Sequence, residues 1–413
     1  MSKKVIEWAA REKKRTVNAA VGRNFLKTIT EPLTNSDSAL KKQAGVSHGA
    51  GLIDEMLKLK DGERVDTSAI KTAIPKATVR KVFVQLKTSG SEARVCRVID
   101  TGPGMTRSDL ESKFGIYAEA KARGEKTRSL FGRGALDVLL YHEESVIFSV
   151  ANGILSRCQI YWEKDAICEV EELGRTTKAL LDSFKLPNSI AQSGTVVQFR
   201  LREGTPVPQE DQMVAKISGF YMLRLISADP NTEVTIERIR AGGRHIDPLT
   251  YDFPIGTVIG RFTDILEPEK GVRLPLDILV VRSDQPLQTD PAHIDRRENG
   301  LLFVDENDAV MDLTLLPEYD KNPYLQHVYG IVRIKDIRAV LEAKLEAEEA
   351  VAVLTETRDG FNQKHETTKL LFDLVERHVK PLYEKEEKRQ KKGDVNRSDK
   401  LNERVKDALK VIN

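Results

Sequence analysis

The sequence predicts an α+β protein with more than one domain, and three observations support this prediction. At 413 residues the chain is too long for one compact core, so two or three domains are expected. The stretch from Lys4 to Ala39 has apolar residues at helical period. Apolar and β-branched runs follow at Lys81–Lys87 and Arg94–Ile99, and such runs are typical of strands.

The other elements follow from the same two periodicities. Further strands are expected at Ser145–Val150, Ser156–Trp162, Thr195–Leu201, Glu233–Ile239, Leu276–Val281 and Leu301–Asp305. Helices are expected at Ser108–Phe114, at Gly134–Tyr141, and from Asp211 to about Ser227. Residues 45–75 are Gly-rich and charged around a short helix at Leu52–Leu59, which indicates an insertion or a surface hairpin. From Asp336 onward the pattern is helical and strongly charged.

The composition narrows the class of protein. The 65 basic and 63 acidic side chains give a formal charge of +2, which argues against a coat of nucleic acid over the whole protein. Three cysteines lie far apart without paired spacing, which favours a reducing compartment over a disulfide scaffold. The charged N-terminus lacks a secretion signal, and no apolar run is long enough to span a bilayer. A cytoplasmic protein without a membrane partner is expected.

The first cluster with chemical potential is Glu31-Pro-Leu-Thr-Asn35. Glu31 and Asn35 are four residues apart on a predicted helix, so they share one face. An amide oxygen there can ligate Mg²⁺ while the carboxylate aligns or deprotonates a water. A solvated helix face is the alternative for this pair taken alone.

The second cluster is Asp100-Thr-Gly102-Pro-Gly104-Met105, directly after a predicted strand. A carboxylate at a strand end can accept a hydrogen bond from an exocyclic amino group. The glycines let a flat base approach the backbone closely. An ordinary glycine-rich turn is the alternative.

The third cluster, Ser129-Leu-Phe-Gly132-Arg133-Gly134, is a glycine-bearing loop that opens a predicted helix. Backbone N–H groups at a helix start bind phosphate oxygens, and Lys126, Arg128 and Arg133 add positive charge nearby. A purely structural turn is the alternative for this loop taken alone.

The order of these clusters, followed by a Gly194-Thr195 strand, resembles the motifs of GHKL (Bergerat-fold) ATPases. That superfamily includes MutL, gyrase B subunits, the ninety-kilodalton heat-shock chaperones, MORC proteins and sensor histidine kinases. The resemblance implies a Bergerat α/β sandwich, a mixed sheet covered by helices on one face, at residues 1–239. It also implies an insertion at about 45–78 and an ATP lid at about 106–131.

By this resemblance the ligands are ATP and Mg²⁺, with Glu31 as the general base and Asn35 as the magnesium ligand. Asp100 would read the adenine amino group, and Thr195 would support Asp100. The further nucleotide contacts implied are Gly102, Gly104, Met105, Lys126, Gly132, Arg133 and Gly134. Three details depart from the family pattern: Ser38 where many relatives carry Asp, Ser129 in place of the first lid glycine, and Pro32 inside the catalytic helix.

The second region, residues 240–345, looks like the S5-like α/β transducer that follows GHKL domains in the MutL, chaperone and MORC branches. A charged helical segment is expected at 346–413. The stretch from Gly300 to Gly330 resembles the chaperone middle segment, which would make Arg358 the arginine that reaches the γ-phosphate. Lys321 and Arg297 are rival candidates, and a surface residue at a helix end is the alternative for Arg358.

Other enzyme classes lack their signatures here. The sequence has no P-loop, no H-E-x-x-H and no paired-cysteine zinc spacing. The expected function is Mg-ATP binding that closes the lid and pairs two protomers as a homodimer, with slow hydrolysis that releases them. The first reading is an ATP-gated clamp on double-stranded DNA in genome defence, including antiviral defence, or in repair. The alternative is a chaperone-like or scaffolding ATPase with protein partner subunits, and a nucleotide-binding scaffold without turnover is a third class. The basic residues at Lys380–Lys392 are the feature that would discriminate DNA from protein partners.

Overall fold

The computed structural model describes residues 10–46, 51–88, 94–115, 134–289, 297–346, 351–355 and 360–412. The helices are α1 (Ala10–Val21), α2 (Phe25–Gln43), α3 (Leu52–Met56), α4 (Thr67–Ala73), α5 (Arg107–Phe114), α6 (Gly134–Tyr141), α7 (Lys178–Ser183), α8 (Glu210–Gly219), α9 (Arg224–Ala228), α10 (Ile337–Glu346) and α11 (Glu366–Ile412). The strands are β1 (Arg64–Val65), β2 (Arg80–Lys87), β3 (Val95–Asp100), β4 (Glu143–Ala151), β5 (Ile154–Trp162), β6 (Ala166–Arg175), β7 (Gly194–Arg200), β8 (Thr232–Arg240), β9 (Gly243–Pro248), β10 (Gly256–Glu269), β11 (Val272–Ser283), β12 (Gly300–Asp305), β13 (Val310–Thr314) and β14 (Val328–Ile334). The mixed α+β class expected from the sequence is confirmed.

The first sheet has the order β6-β5-β4-β7-β3-β2-β8-β9 and is antiparallel except for the β2–β8 pair. Strand β3 lies between β2 and β7 and is buried along its whole length. Its last residue, Asp100, lies opposite Val82 on one side and Thr195 on the other. The register therefore brings the predicted Asp and Thr together at one edge of the sheet.

Helix α2 packs across this sheet because its apolar positions recur at helical spacing. Phe25, Ile29 and Leu33 are each four residues apart and are buried against the sheet. Asn24 caps the helix by accepting hydrogen bonds from the first turn, with 2.9 Å from its Oδ1 to Leu26 N. Gly22, with φ of +58°, separates α1 from α2, so the predicted helical stretch is two helices rather than one.

The opposite face of the first sheet is also covered in part. Leu181 of α7 and Ile190 of a following 3₁₀ turn pack with Ile99 and Phe148 in a separate apolar cluster. The Bergerat sandwich was expected to carry helices on one face, and this short helix is an addition to that description. It supports the sheet directly behind the strand that ends at Asp100.

The second sheet has the order β1-β10-β11-β14-β12-β13, with β12 and β14 parallel. Strand β1 comes from the segment that was expected to be an insertion or a surface hairpin. It pairs with β10, so that Arg64 lies opposite Thr257. The described part of this segment is not a hairpin, because it forms α3, β1 and α4 and joins the second sheet. Leu52 and Met56 share one apolar core with Val281 and Ile331.

The C-terminal region packs behind the second sheet. Leu371, Val375 and Val379 of α11 form a core with Phe303 and Val332. The pattern from Asp336 is not continuously helical, because Leu354 and Phe361 form an antiparallel bridge between α10 and α11. The helix expected from Asp211 to Ser227 is likewise divided into α8 and α9, with α8 ending at Gly219, a poor helix former. Among the described residues, no helix combines the length and apolarity needed to cross a bilayer.

Candidate functional site

The Asp100 carboxylate is the most deeply buried acid among the predicted site residues, with 4% of the residue exposed. It accepts hydrogen bonds from Ser36 Oγ at 2.8 Å, from Gly102 N at 2.9 Å, and from the backbone N–H of Thr195. Burial raises the pKa of Asp100 to about 6, although these three donors act to lower it. The carboxylate is therefore held in place from α2, from its own turn and from β7.

The glycines after Asp100 are required by space. A Cβ on Gly102 would lie 2.8 Å from Asp100 Oδ1 and 3.6 Å from the Cβ of Ala39. Gly104 has φ of +72°, and a Cβ there would lie 1.8 Å from the carbonyl oxygen of Val150. A larger residue would displace the Asp100 carboxylate at position 102 or the β4 backbone at position 104, so the turn packs closely beside the carboxylate.

A hydrogen-bonded chain holds the turn against the sheet. Met105 N donates to Ser149 Oγ over 2.7 Å, and Ser149 Oγ lies 3.2 Å from Thr195 Oγ1. Ser36 and Ser149 were not among the residues predicted for the site. Ser36 stood inside the first motif, one residue after Asn35, whereas no sequence signal marked Ser149 within β4.

The side chain of Glu31, on α2, packs against the first residue of α6. A Cβ placed on Gly134 would fall 2.1 Å from Glu31 Cδ, closer than two such atoms can approach, so the carboxylate lies against the glycine backbone. Glu31 and Asn35 are both half-buried and stand one helical turn apart on α2. Glu31 and Gly134 are thus neighbours at the N-terminal end of α6.

One helix therefore carries both ends of the candidate site. Ser36 of α2 contacts Asp100, and Glu31 of α2 contacts Gly134. With a rise of about 1.5 Å per residue, these two contacts are separated by roughly 7–8 Å along the helix axis. Helix α2 thus spans the distance from the buried Asp100 carboxylate and its glycine turn to the N-terminus of α6.

Asp37 follows Ser36 in the sequence but does not share its contact with Asp100. It is fully buried, and its carboxylate lies 3.1 Å from Lys41 Nζ, which is 3.2 Å from Asp229. Asp229 also pairs with Arg80 at 2.9 Å. These ion pairs fasten α2 to β2 and to the residues before β8. Asp37 therefore stabilises the position of the helix, and the neighbouring Ser38 is buried as well.

His142, immediately after α6, links this helix to the start of α2. Its Nδ1 accepts the backbone N–H of Arg202 at 3.1 Å, so Nε2 carries the proton and donates to Thr28 Oγ1 at 2.9 Å. Thr28 Oγ1 donates in turn to Asn24 O. Burial lowers the pKa of His142 to about 3, assisted by Arg202 and Arg94, so the ring is neutral. The sequence analysis did not identify this residue.

Several predicted residues lie outside the described part of the chain: Lys126, Gly132, Arg133 and Arg358. Of the two rivals to Arg358, Arg297 is 3% exposed and pairs with Asp320 at 2.7 Å. Its guanidinium also donates to Asn299. Lys321 lies exposed in the connection between β13 and β14. The contacts of Arg297 are those of a structural ion pair within the second region.

The oxygen donors on α2 suit Mg²⁺. In the described ranges, no three His, Cys, Asp or Glu side chains cluster in a way that could hold a metal ion. Glu31 and Asn35 offer a carboxylate and an amide oxygen on one helix face, and hard oxygens are the donors Mg²⁺ takes. Since this ion is usually bound by one or two protein groups together with phosphates, the pair fits it.

Residues 69–195 match the family model of histidine kinase-, DNA gyrase B- and HSP90-like ATPases. The match supports a GHKL ATPase domain. It includes Asp100, the turn glycines, Gly134 and Thr195, and it begins after Glu31 and Asn35. No curated protein matches the chain. The match supports ATP binding and hydrolysis in general and does not distinguish the MutL, MORC and chaperone branches.

Proposed function

We propose that this chain binds Mg-ATP along α2, between Asp100 and the start of α6, and hydrolyses it slowly under a closing lid. The observation that carries the proposal is the double contact of α2, with Ser36 on Asp100 and Glu31 on Gly134. A single helix thereby fixes the distance between a pocket suited to a base and a helix start suited to phosphates. The match to GHKL ATPases supports the same ligand.

The pocket at Asp100 suits adenine. The carboxylate would accept the hydrogen bond of the exocyclic amino group, and Ser36 and Thr195 would hold it in position. Gly102 and Gly104 would let the base lie against the backbone, with Met105 beside them. A buried acceptor without a donor from its ligand is costly, so a purine without an amino group would bind more weakly.

At the other end, Glu31 would act as the general base that takes a proton from the attacking water. Its position against Gly134 places the carboxylate beside backbone N–H groups at a helix start, where phosphate oxygens bind. Asn35 would supply an amide oxygen to Mg²⁺. The metal ion, when bound, neutralises negative charge on the phosphates.

The lid is proposed to extend over residues 106–131, beginning with α5. Within it and at its end, Lys126, Gly132 and Arg133 would contact phosphates. Arg358 is proposed to stabilise charge on the transferred phosphoryl group from the second region, in the role of an arginine finger. Arg297 is a weaker candidate, because its guanidinium is already paired with Asp320.

We further propose that ATP binding brings two copies of the chain together as a clamp, with double-stranded DNA as the partner. A chaperone-like or scaffolding ATPase with protein partners is the second candidate. In the described part of α11, Lys380 and Lys391 are already close to Glu376 and Glu387, which reduces the positive charge available to DNA. These ion pairs are an argument for the hypothesis of a protein partner.

The test is Mg-ATP turnover by wild type and Glu31→Ala, each with and without double-stranded DNA and at two salt concentrations. The clamp on DNA predicts turnover that rises with DNA and falls with salt, because phosphate contacts release counterions. Sedimentation with ATP should also show a dimer that Glu31→Ala retains. Turnover that DNA leaves unchanged would favour protein partners, and an absence of turnover in all samples would contradict the ATPase.

A further inference from the structure

Cys158 and Cys168 are neighbours in the structure, although their spacing in the sequence matches no cysteine-pair motif. They lie on adjacent strands β5 and β6, and their Sγ atoms are 3.3 Å apart. The register explains the approach, because Cys158 lies opposite Val170 and Ile160 lies opposite Cys168. The two cysteines are thus diagonal neighbours on one face of an antiparallel pair. The spacing of the cysteines in the sequence did not indicate this contact.

We propose that Cys158 and Cys168 are a redox site that closes to a reversible disulfide beneath α5. A disulfide needs an S–S distance of about 2.05 Å, so the sulfurs must approach by little more than 1 Å. Rotation of the two side chains provides that movement while the paired strands hold their backbones. Strand β6 is at the edge of the first sheet, and Cys168 on it is partly exposed.

The two thiols have different environments that suit different roles. Cys168 is half-buried and can meet an oxidant, whereas Cys158 is buried. The S–H of Cys158 hydrogen-bonds to Cys168, which lowers the pKa of the Cys168 thiol. Cys168 is therefore the attacking thiolate and Cys158 the resolving thiol. Burial raises the pKa of Cys96 to about 12, so that third thiol is unreactive.

The oxidant is a hydroperoxide, for which hydrogen peroxide serves as the probe. The Cys168 thiolate attacks one peroxide oxygen, the O–O bond breaks, and a sulfenic acid and hydroxide form. The Cys158 sulfur then displaces the sulfenic hydroxyl group as its own proton passes to the departing oxygen. In total two thiols and one peroxide give one disulfide and two waters. A dithiol reductant reverses the change by thiol–disulfide exchange.

The cysteine pair lies beside α5, where the proposed lid begins. The inference that the disulfide affects ATP hydrolysis rests on the proposed function. Helix α5 packs against β5 and β6, and its Leu110 is fully buried in the same core as Cys158. Phe114 and Cys168 pack against that core from its margin. Closing the disulfide repacks these contacts at the point where the lid begins. The oxidised protein should therefore hydrolyse ATP more slowly.

The first measurement counts free thiols in the denatured protein before and after peroxide treatment. The chain has three cysteines, so we expect three thiols to fall to one and to return to three with a dithiol. Cys96→Ala should still lose two thiols, whereas Cys158→Ala should leave a sulfenic acid on Cys168 that dimedone traps. Three remaining thiols in treated wild type, or dimedone labelling of Cys96 instead, would overturn the site.

The second measurement compares ATP turnover of reduced, oxidised and re-reduced protein. We expect oxidation to lower turnover by roughly fivefold, the change that a barrier increase of about 1 kcal/mol gives. Peroxide should leave the turnover of Cys168→Ala unchanged. A disulfide that forms without affecting turnover would overturn the link to the lid. If the reduced protein has no turnover, the proposed function fails, while the thiol count still decides the redox site.

Discussion

The carboxylate of Glu31 lies against the Cα of Gly134, so close that a Cβ at that position would fall 2.1 Å from Glu31 Cδ. The two residues belong to different clusters of the sequence and are joined when α6 packs on α2. This contact puts an acid beside the first backbone N–H groups of a helix, a place where phosphate binds. It joins the predicted catalytic acid to the predicted phosphate site.

Replacing Gly134 with alanine should therefore reduce ATP turnover. The added Cβ forces the Glu31 carboxylate to move, and a displacement of about 1 Å in a catalytic group costs on the order of 100-fold in rate. Gly219→Ala is the matched control, since a Cβ there meets nothing within 4 Å. Turnover is measured by phosphate release. Equal turnover in the two variants would show that Gly134 has no role in hydrolysis.

Replacing Asp100 with asparagine should weaken nucleotide binding. The substitution keeps the size of the side chain but removes charge from an acceptor that Ser36, Gly102 and Thr195 already hold. Losing a hydrogen bond to a charged group costs about 1.5–3 kcal/mol, or roughly 10- to 100-fold in Kd. The readout is the rise in Tm on adding ATP. Ser36→Ala should give a smaller loss, and a full Tm shift in Asp100→Asn would exclude this pocket.

The raised pKa of Asp100 makes the free energy of unfolding depend on pH, and the direction of this dependence can be predicted. Its folded pKa of about 6 lies above the ordinary value of 3.8, so the native state binds more protons between these values. The contribution of this group to stability is full below pH 3.8 and is lost as the pH rises through about 6. Relative to Asp100→Asn, wild type should lose roughly 3 kcal/mol of unfolding free energy over this window.

Urea unfolding of both proteins from pH 4 to pH 7 would measure that difference, since other titrating groups cancel. ATP affinity should change in the opposite direction and improve above pH 6, because the ionised carboxylate is the acceptor. A constant difference between wild type and Asp100→Asn across this range would contradict the buried carboxylate.

His142 should give the free energy of unfolding a second pH dependence, opposite in sign to that of Asp100. Its folded pKa of about 3 lies below the ordinary 6.5, so the unfolded state binds more protons between these values. The contribution of the neutral ring to stability is present above pH 6.5 and is lost as the pH falls toward 3, by about 1.4 kcal/mol per pH unit. His142→Gln should remove this slope, whereas the exposed His245→Gln should retain it. Identical slopes in these two variants would refute the buried neutral ring.

The sequence analysis identified most elements of the first sheet because their signals are local. Strands β2, β3, β4, β5 and β7 and helices α5 and α6 lie within a few residues of their predicted bounds. The analysis missed β6, in which exposed and half-buried residues do not alternate regularly. It also missed the pairing of β1 with β10, since a two-residue strand has no period of its own.

In the site, too, the residues within short motifs could be predicted, whereas those defined by long-range contacts could not. Motif residues such as Asp100 and Gly104 could be identified because their chemistry lies within a short stretch. Ser149 and His142 could not, because their importance comes from partners 44 to 114 residues away. The proximity of Cys158 and Cys168 likewise depends on strand register, which cysteine spacing alone does not reveal. Long-range contacts decide these roles, and a single sequence contains no direct record of them.

The most direct test of the central claim is Glu31→Gln assayed for ATP binding and for hydrolysis in parallel. Glutamine keeps the size of the side chain beside Gly134 but cannot accept a proton from water. We predict a Tm increase with Mg-ATP equal to that of wild type, together with turnover lower by about 100-fold or more. Turnover that remains at the wild-type level in Glu31→Gln would contradict the assignment of Glu31 and, with it, the proposed site.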